Sequence, residues 1–306
     1  MPVAATASPS TSPSPGAVDS PLWEFPPGRD DVVLPAHFLP NGAIIIRMTA
    51  NGRGLDLLLD TGAPDIIDAS VASSLQDGSS PASPLVLSSV RFGDATLHDA
   101  RFRVGSFYRR EATDTRIVGV LGYEFLQRAV VKIDYEHESI HLLNPSSFVV
   151  PAGAAALALS PLNRVPVVAA TVGTAKGAAF IIDTGATTVV VFPELARANP
   201  AEFTAQTLLK DDASSTYFRF FWPVCGEIQQ DPYAVSQVVV GSVGLRDWVV
   251  WKPQDTSCFQ PKGLDGLIGY DFLRFFNVYV DYPMHLLVLE PNSTYETATN
   301  TVKPWR

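Results

Sequence analysis

Cysteine is almost absent from this sequence: Cys225 and Cys258, both in the second half of the 306 residues, are the only two. They allow one disulfide in an oxidising compartment or two buried thiols, and alone they make a poor metal site. No run approaches the roughly eighteen consecutive apolar residues of a spanning helix, so no membrane span is expected. Basic residues are outnumbered, 22 Lys and Arg against 31 Asp and Glu, giving a formal net charge of −9. Phosphate binding draws its affinity from a basic surface, which excludes nucleic acid as a partner. No block of like charge marks a tail or a membrane patch. Serine nucleophile elbows, P-loops and dinucleotide-binding glycine motifs are also absent in usable context.

What is present is the composition of a folded globular chain, with 46% hydrophobic and 17% charged residues. The length suits two units of ordinary domain size. The opening MPVAATASPSTSPSPGAVDSP lacks the basic and apolar regions of a signal peptide. It reads as a Pro/Ser/Ala/Thr spacer too poor in large apolar groups to pack, so residues 1–30 are expected to form a disordered tail. Such spacers often follow a removed signal or lipid anchor. That favours an exported chain (periplasmic, cell-surface or secreted) over a cytoplasmic one.

The main feature is self-similarity. AIIIRMTANGRGLDLLLDTGA (43–63) aligns without gaps on PVVAATVGTAKGAAFIIDTGA (166–186), a shift of 123 that makes Asp183 the twin of Asp60. Further on, GVLGYEFLQRAVVKIDYEHESIHLLNP from Gly119 recurs as GLIGYDFLRFFNVYVDYPMHLLVLEP from Gly266, shifted by 147. Each copy reads as an apolar strand, a turn containing Arg53-Gly54 or Lys176-Gly177, a second apolar strand and an Asp-Thr-Gly-Ala turn. The spacing from Asp to the Gly segment is 59 residues in the first copy and 83 in the second. The 24 extra residues fall near 195–235, around STYFRFFWPVCGEIQQDPYAV. The expected fold is all-β: two similar β-barrel-like lobes related by internal duplication, with a cleft between them. Their expected limits are 31–150 and 162–306, with an Ala/Pro-rich linker at 151–161.

A single Asp-Thr-Gly turn is explained by a carboxylate bonding nearby backbone N–H groups. Two such turns meeting across a pseudo-two-fold axis can do more. Like charges a few ångströms apart cannot both ionise easily, so the pair shares a proton and titrates as a unit. One member can then act as base toward water while the other protonates a carbonyl, without a metal or a covalent intermediate. Glycine in each turn permits close backbone approach, and the threonines can hydrogen-bond across the interface.

LLLDTGA with GVLGYEFL, and FIIDTGA with GLIGYDFL, together resemble the aspartic proteases, and among them the two-lobed retropepsin-like bacterial proteins more than the pepsins. The resemblance spans nearly all of residues 43–295. It implies a hydrolase acting on peptide bonds, with Asp60 and Asp183 as the catalytic dyad. Thr61 and Thr184 would grip across the lobes, and Gly62 and Gly185 would supply backbone contacts. Both aspartates lie on one chain, so the resemblance implies a monomer that cuts a peptide or protein substrate and needs no cofactor or metal. The competing reading is a non-catalytic peptide- or polymer-binding protein on the same scaffold. Ala63 and Ala186 stand where pepsins carry Ser or Thr, as in the retroviral enzymes. No Gly-rich flap tip is legible. SSLQDGSSPASP in the first copy is short, and Tyr217, Phe221, Trp222 or Tyr233 of the insertion would either cover the cleft or pack on their own lobe, packing being the commoner role of aromatics.

HESIH (137–141) matches the zincin pattern, but its twin segment lacks the first His and the Glu. In extended chain, four residues span roughly 13 Å, which does not reproduce helical ligand geometry. Asp134 and Asp281 recur before Tyr135 and Tyr282 and are expected to serve strand-end turns. Asp65 and Asp68 have no counterparts, and exposure is the expectation for both.

Overall fold

The computed structural model describes residues 22–76, 83–105, 117–162, 164–204, 219–222, 226–256 and 263–300, with the side chains of 219–227 and 299–300 left undescribed. Its first half runs β1 (Leu22–Glu24), β2 (Asp31–Leu34), β3 (Ala36–Phe38), β4 (Ile44–Ala50), β5 (Arg53–Leu59), β6 (Ile66–Asp68), α1 (Ala69–Leu75), β7 (Leu85–Phe92), β8 (Ala95–Gly105), β9 (Ile117–Leu121), α2 (Tyr123–Leu126), β10 (Val130–Asp134) and β11 (Ser139–Leu143). The second half runs β12 (Ala155–Ala158), β13 (Ser160–Leu162), β14 (Val165–Val172), β15 (Ala175–Ile182), β16 (Val190–Val191), α3 (Pro193–Ala198), β17 (Arg219–Trp222), β18 (Gly226–Val240), β19 (Val243–Pro253), β20 (Gly266–Ile268), α4 (Tyr270–Leu273), β21 (Phe276–Asp281), β22 (Leu286–Pro291) and α5 (Ser293–Asn300).

Each half builds its own sheet on one plan. The strand leading into each Asp-Thr-Gly turn pairs in parallel with the strand before the Gly segment: Leu59 lies opposite Leu121, and Ile182 opposite Ile268. Strands β9 and β20 then pair antiparallel with β6 and β16. A third, six-stranded sheet joins the halves in the order β12-β22-β21-β10-β11-β2, with Ile133 of β10 opposite Val278 of β21 at its centre. The result is the expected two-lobed, mostly β architecture with the Asp turns at the junction.

Local sequence accounts for these elements. Alternation in β7 buries Leu85, Leu87, Val90 and Phe92 while their neighbours face out. In α1, Asp68 accepts from the Ser70 N–H as N-cap, and Val71 and Leu75, four apart, are buried. Phe92, Phe102 and Phe125 in one half, and Phe180, Phe272 and Phe276 in the other, are fully buried. Burial of one such side chain contributes about 1.5–3 kcal/mol.

Several boundaries differ from expectation. Leu22–Glu24, placed in the tail, pair with β8 because Trp23 is a strong apolar anchor: its ring packs on Phe125 and Phe92, and its Nε1 donates to the Phe125 carbonyl at 3.2 Å. The linker stretch contributes β12 to the shared sheet. The first hairpin turns at Asn51 and Gly52 rather than at Arg53-Gly54, and both turn residues are left-handed (φ 48° and 75°), as a type I′ turn requires. In the second half Gly173 (φ 58°) takes the turn, and Gly177 lies inside β15. Within the insertion, β17 pairs with the first part of β18, from Arg219 opposite Gln229 to Trp222 opposite Gly226. Tyr217, Cys225 and Cys258 lie outside the described residues, as does most of the DGSSPASP stretch. Among the described residues no helix is long and apolar enough to cross a membrane.

Candidate active site

Asp60 and Asp183 are the first residues out of β5 and β15, and their loops are tied down identically. The Asp60 N–H donates to Leu121 O at 2.9 Å and the Asp183 N–H to Ile268 O at 3.0 Å. The Tyr123 N–H donates to Ala63 O at 3.0 Å, and the Tyr270 N–H to Ala186 O at 2.9 Å. The Gly segments thus fix where the acids stand.

The two loops meet. A Cβ on Gly62 would sit 2.9 Å from Asp183 Cγ, and one on Gly185 would sit 2.5 Å from Asp60 Cγ, so each glycine makes room for the acid of the other half. The threonines interlock reciprocally. Thr61 Oγ1 donates to Ile182 O and accepts the Thr184 N–H at 3.1 Å. Thr184 Oγ1 donates to Leu59 O at 3.0 Å and accepts the Thr61 N–H at 3.1 Å. All four bonds are buried between the halves. The six residues singled out from the two motifs are therefore brought together at one point.

The carboxyls themselves are partly and largely buried, with Asp183 8% exposed. Asp60 Oδ1 accepts from the Gly62 N–H at 2.9 Å, while Asp183 Oδ1 accepts from both Gly185 (2.9 Å) and Ala186 (3.1 Å). Burial, then the charge of Asp183, pushes Asp60 well above the usual carboxylate range. Burial also raises Asp183, but two N–H donors and a hydrogen bond with Asp60 favour its charged form. Both carboxyls are therefore raised, Asp60 the more strongly, as expected of a close pair that titrates together.

Asp65 corrects an expectation: it is buried, not exposed. Its Oδ1 accepts the Gly122 N–H at 2.6 Å and the Phe125 N–H at 3.3 Å, caps α2 from outside the helix, and its Oδ2 has no partner among the described residues. Burial raises its pKa strongly. Asp68 is half-buried as the N-cap of α1.

Asp134 and Asp281 take the turn role, accepting the N–H of His137 and Met284 respectively. Burial pushes Asp134 up, but the His137 N–H and the Lys132 ammonium outweigh it and hold it low, whereas burial leaves Asp281 raised. His137 and His141 lie on a hairpin and face different carboxylates, Asp134 and Asp31. Tyr233 is buried against Phe203 of its own lobe. Phe221 and Trp222 lie in β17, their side chains outside the described residues. Two cross-lobe tyrosine contacts were not expected: Tyr123 with Tyr282 at 5.2 Å, and Tyr135 with Tyr270 at 5.5 Å. Their recurrence in GYEFL/GYDFL and DYEHE/DYPMH was the available signal.

No protein-family model and no curated protein matches the sequence. Solved structures do. Basic 7S globulin from soybean has a TM-score of 0.51 at 12% identity, covering 85% of this chain and 96% of that one. An aspartic proteinase from Irpex lacteus has a TM-score of 0.51 at 13% identity over 88% of this chain and 100% of that one. A retropepsin-like aspartic protease from Rickettsia conorii is 21% identical over 45% of this chain and 100% of that one, with a TM-score of 0.33. At these identities the first two likenesses establish the fold, that of the two-lobed aspartic proteinases.

Proposed function

We propose that this chain, built on the two-lobed aspartic-proteinase fold, is an aspartic endopeptidase, with Asp60 and Asp183 as its catalytic residues. The observation that carries the reading is the reciprocal fit of the two turns, in which each glycine leaves room for the opposite carboxyl. Asp183 takes a proton from the attacking water while Asp60 gives its own to the scissile carbonyl oxygen, producing a tetrahedral diol. Proton return through Asp183 to the amide nitrogen then breaks the C–N bond, and Asp60 recovers its proton from the collapsing diol. The buried threonine bonds hold the acids in place through this cycle, so little reorganisation accompanies the reaction. A peptide bound in the cleft is expected to lie extended, held by its backbone with alternate side chains in pockets. One chain carries both acids, so a monomer suffices.

The test is cleavage of a mixed peptide library from pH 3 to 7, with and without a metal chelator and pepstatin. Chelator-insensitive, pepstatin-sensitive cutting that is strongest on the acidic side is the expected result. A folded protein that cuts nothing across that range contradicts the reading and leaves a binding role on the same scaffold.

A further inference from the structure

Asp65 is a buried carboxylate, 1% exposed, that the chemistry of the two acids does not use. Its Oδ1 accepts the Gly122 N–H at 2.6 Å and the Phe125 N–H at 3.3 Å. The Gly122 N–H belongs to the same planar peptide group as the Leu121 carbonyl, and that carbonyl accepts the Asp60 N–H at 2.9 Å. A single rigid peptide therefore lies between the Asp65 carboxyl and the main chain of Asp60. Gly122 is also pressed onto the Asp60 loop, where a Cβ would stand 1.9 Å from Ala63 O and 3.0 Å from Asp60 O. A shift of this peptide is passed on to the acid.

Asp65 is itself fixed. Its N–H donates to Glu124 Oε2 at 2.8 Å, its carbonyl accepts the Arg103 N–H at 2.9 Å, and Glu124 Oε1 pairs with Arg164 of the second half at 3.1 Å. The twin half is a control built into the molecule. There Ile268 O accepts the Asp183 N–H at 3.0 Å, and a Cβ on Gly269 would stand 2.7 Å from Ala186 O, yet the residue aligned with Asp65 is Thr188. The same strand, turn and helix form without a carboxylate, so the fold does not require one. Burying an acid with one oxygen unpartnered among the described residues is unfavourable, which calls for a local reason. The first half supplies it: the Asp60 carboxyl accepts one turn N–H where Asp183 accepts two, so Asp60 is the less restrained acid.

We propose that Asp65 is a positioning residue for Asp60, holding the Leu121–Gly122 peptide so that the Asp60 carboxyl keeps its place opposite Asp183. The role is confined to the first half. Its catalytic consequence rests on the peptidase reading.

The test compares Asp65→Ala, Asp65→Asn and Thr188→Ala in the full chain, each below its own melting temperature. Asp65→Ala should lower kcat about ten- to a hundredfold, the scale of a misplacement of about 1 Å or less, with KM within about twofold. Asp65→Thr installs the residue of the twin half; its hydroxyl is too short to replace the carboxyl, so it should show the same loss and serves if Asp65→Ala does not fold. Asp65→Asn keeps an oxygen acceptor for the Gly122 N–H and should retain kcat within about threefold. Thr188→Ala should stay within about twofold. The second readout is a carbon-13 titration of Asp60. The Asp65 charge is not among the causes that raise Asp60, so Asp65→Asn should leave that titration in place, while Asp65→Ala should move it toward the ordinary carboxylate value. Wild-type kcat in folded Asp65→Ala and Asp65→Thr, or a loss carried by KM alone, overturns the proposal. Equal effects of Asp65→Ala and Asp65→Asn also overturn it, since they assign the effect to charge rather than to position. A wild type that cuts no peptide refutes the peptidase reading, and the titration then decides alone: a shift in Asp65→Ala supports the positioning role, and an unmoved Asp60 overturns it.

Discussion

In the first half the aspartate loop is backed by a second buried carboxylate, Asp65, which accepts two N–H groups of the Gly122–Phe125 turn. In the second half the aligned residue is Thr188, and the Asp183 loop relies on its main chain, including the extra Ala186 N–H bond to Asp183. The main-chain bonds from each acid and each following tyrosine match, and the second half adds one from the Asp271 N–H to Thr187 O at 3.0 Å. The hydrogen-bond donors are shared unequally: one N–H faces Asp60 and two face Asp183. Close geometric symmetry at the centre thus coexists with divergence one layer out, where the halves differ in supporting acid and in the length of the β18–β19 hairpin.

The sharpest way to break the comparison is to remove one acid at a time. Asp60→Asn and Asp183→Asn should each lower kcat by about a thousandfold or more, since general acid and general base each contribute roughly 10²–10⁴. A large loss in only one of them would mean that the halves are not equivalent partners. The next effect concerns the interlock. Thr61→Val and Thr184→Val each remove an O–H donor and leave a buried N–H unpaired, so each should destabilise by about 2–3 kcal/mol in chemical denaturation. Similar losses from both would support a shared grip.

Asp65 separates the halves. Asp65→Ala should destabilise by about 1–3 kcal/mol, because two N–H groups lose their acceptor, while Thr188→Ala should cost under about 0.5 kcal/mol. Asp65 also enters the pH dependence, together with the dyad. All three carboxyls have raised pKa values in the folded protein. The stability such groups contribute is complete below the ordinary carboxylate value and is lost as pH rises through the raised values. Asp134, held low, acts in the opposite sense, and its contribution is lost as pH falls through its lowered value. Thermal melting should therefore fall from mildly acidic to neutral pH in the wild type, and less steeply in Asp65→Asn. The smallest effect belongs to Arg164→Ala. Its ion pair with Glu124 has a guanidinium side 60% exposed, so the loss should stay within about 1 kcal/mol.

The centre of this molecule was legible because duplication labels itself. Asp60 and Asp183, with their threonines and glycines, could be matched by register, and two apolar strands ending in the same turn define a floor. The surroundings were harder to read. Asp65 follows Pro64 in what looks like a loop, and its burial depends on a helix turn that arrives 57 residues later in the chain. Trp23 sits in a segment whose neighbours are tail-like, so one anchoring ring decided the strand against the composition. Asn51-Gly52 carried the true turn signal of the first hairpin. The tyrosines repeat at matching positions, but their contacts cross between halves, and spacing along the chain does not reveal which ring meets which.

The most direct measurement is a carbon-13 NMR titration of the aspartate carboxyls in the wild type and in Asp183→Asn. Asp60 should titrate well above the usual carboxylate range in the wild type. Removing the Asp183 charge should lower its apparent pKa, while burial keeps it above the ordinary value. An Asp60 that titrates identically in both proteins, or at the ordinary value in the wild type, would contradict a dyad that shares one proton.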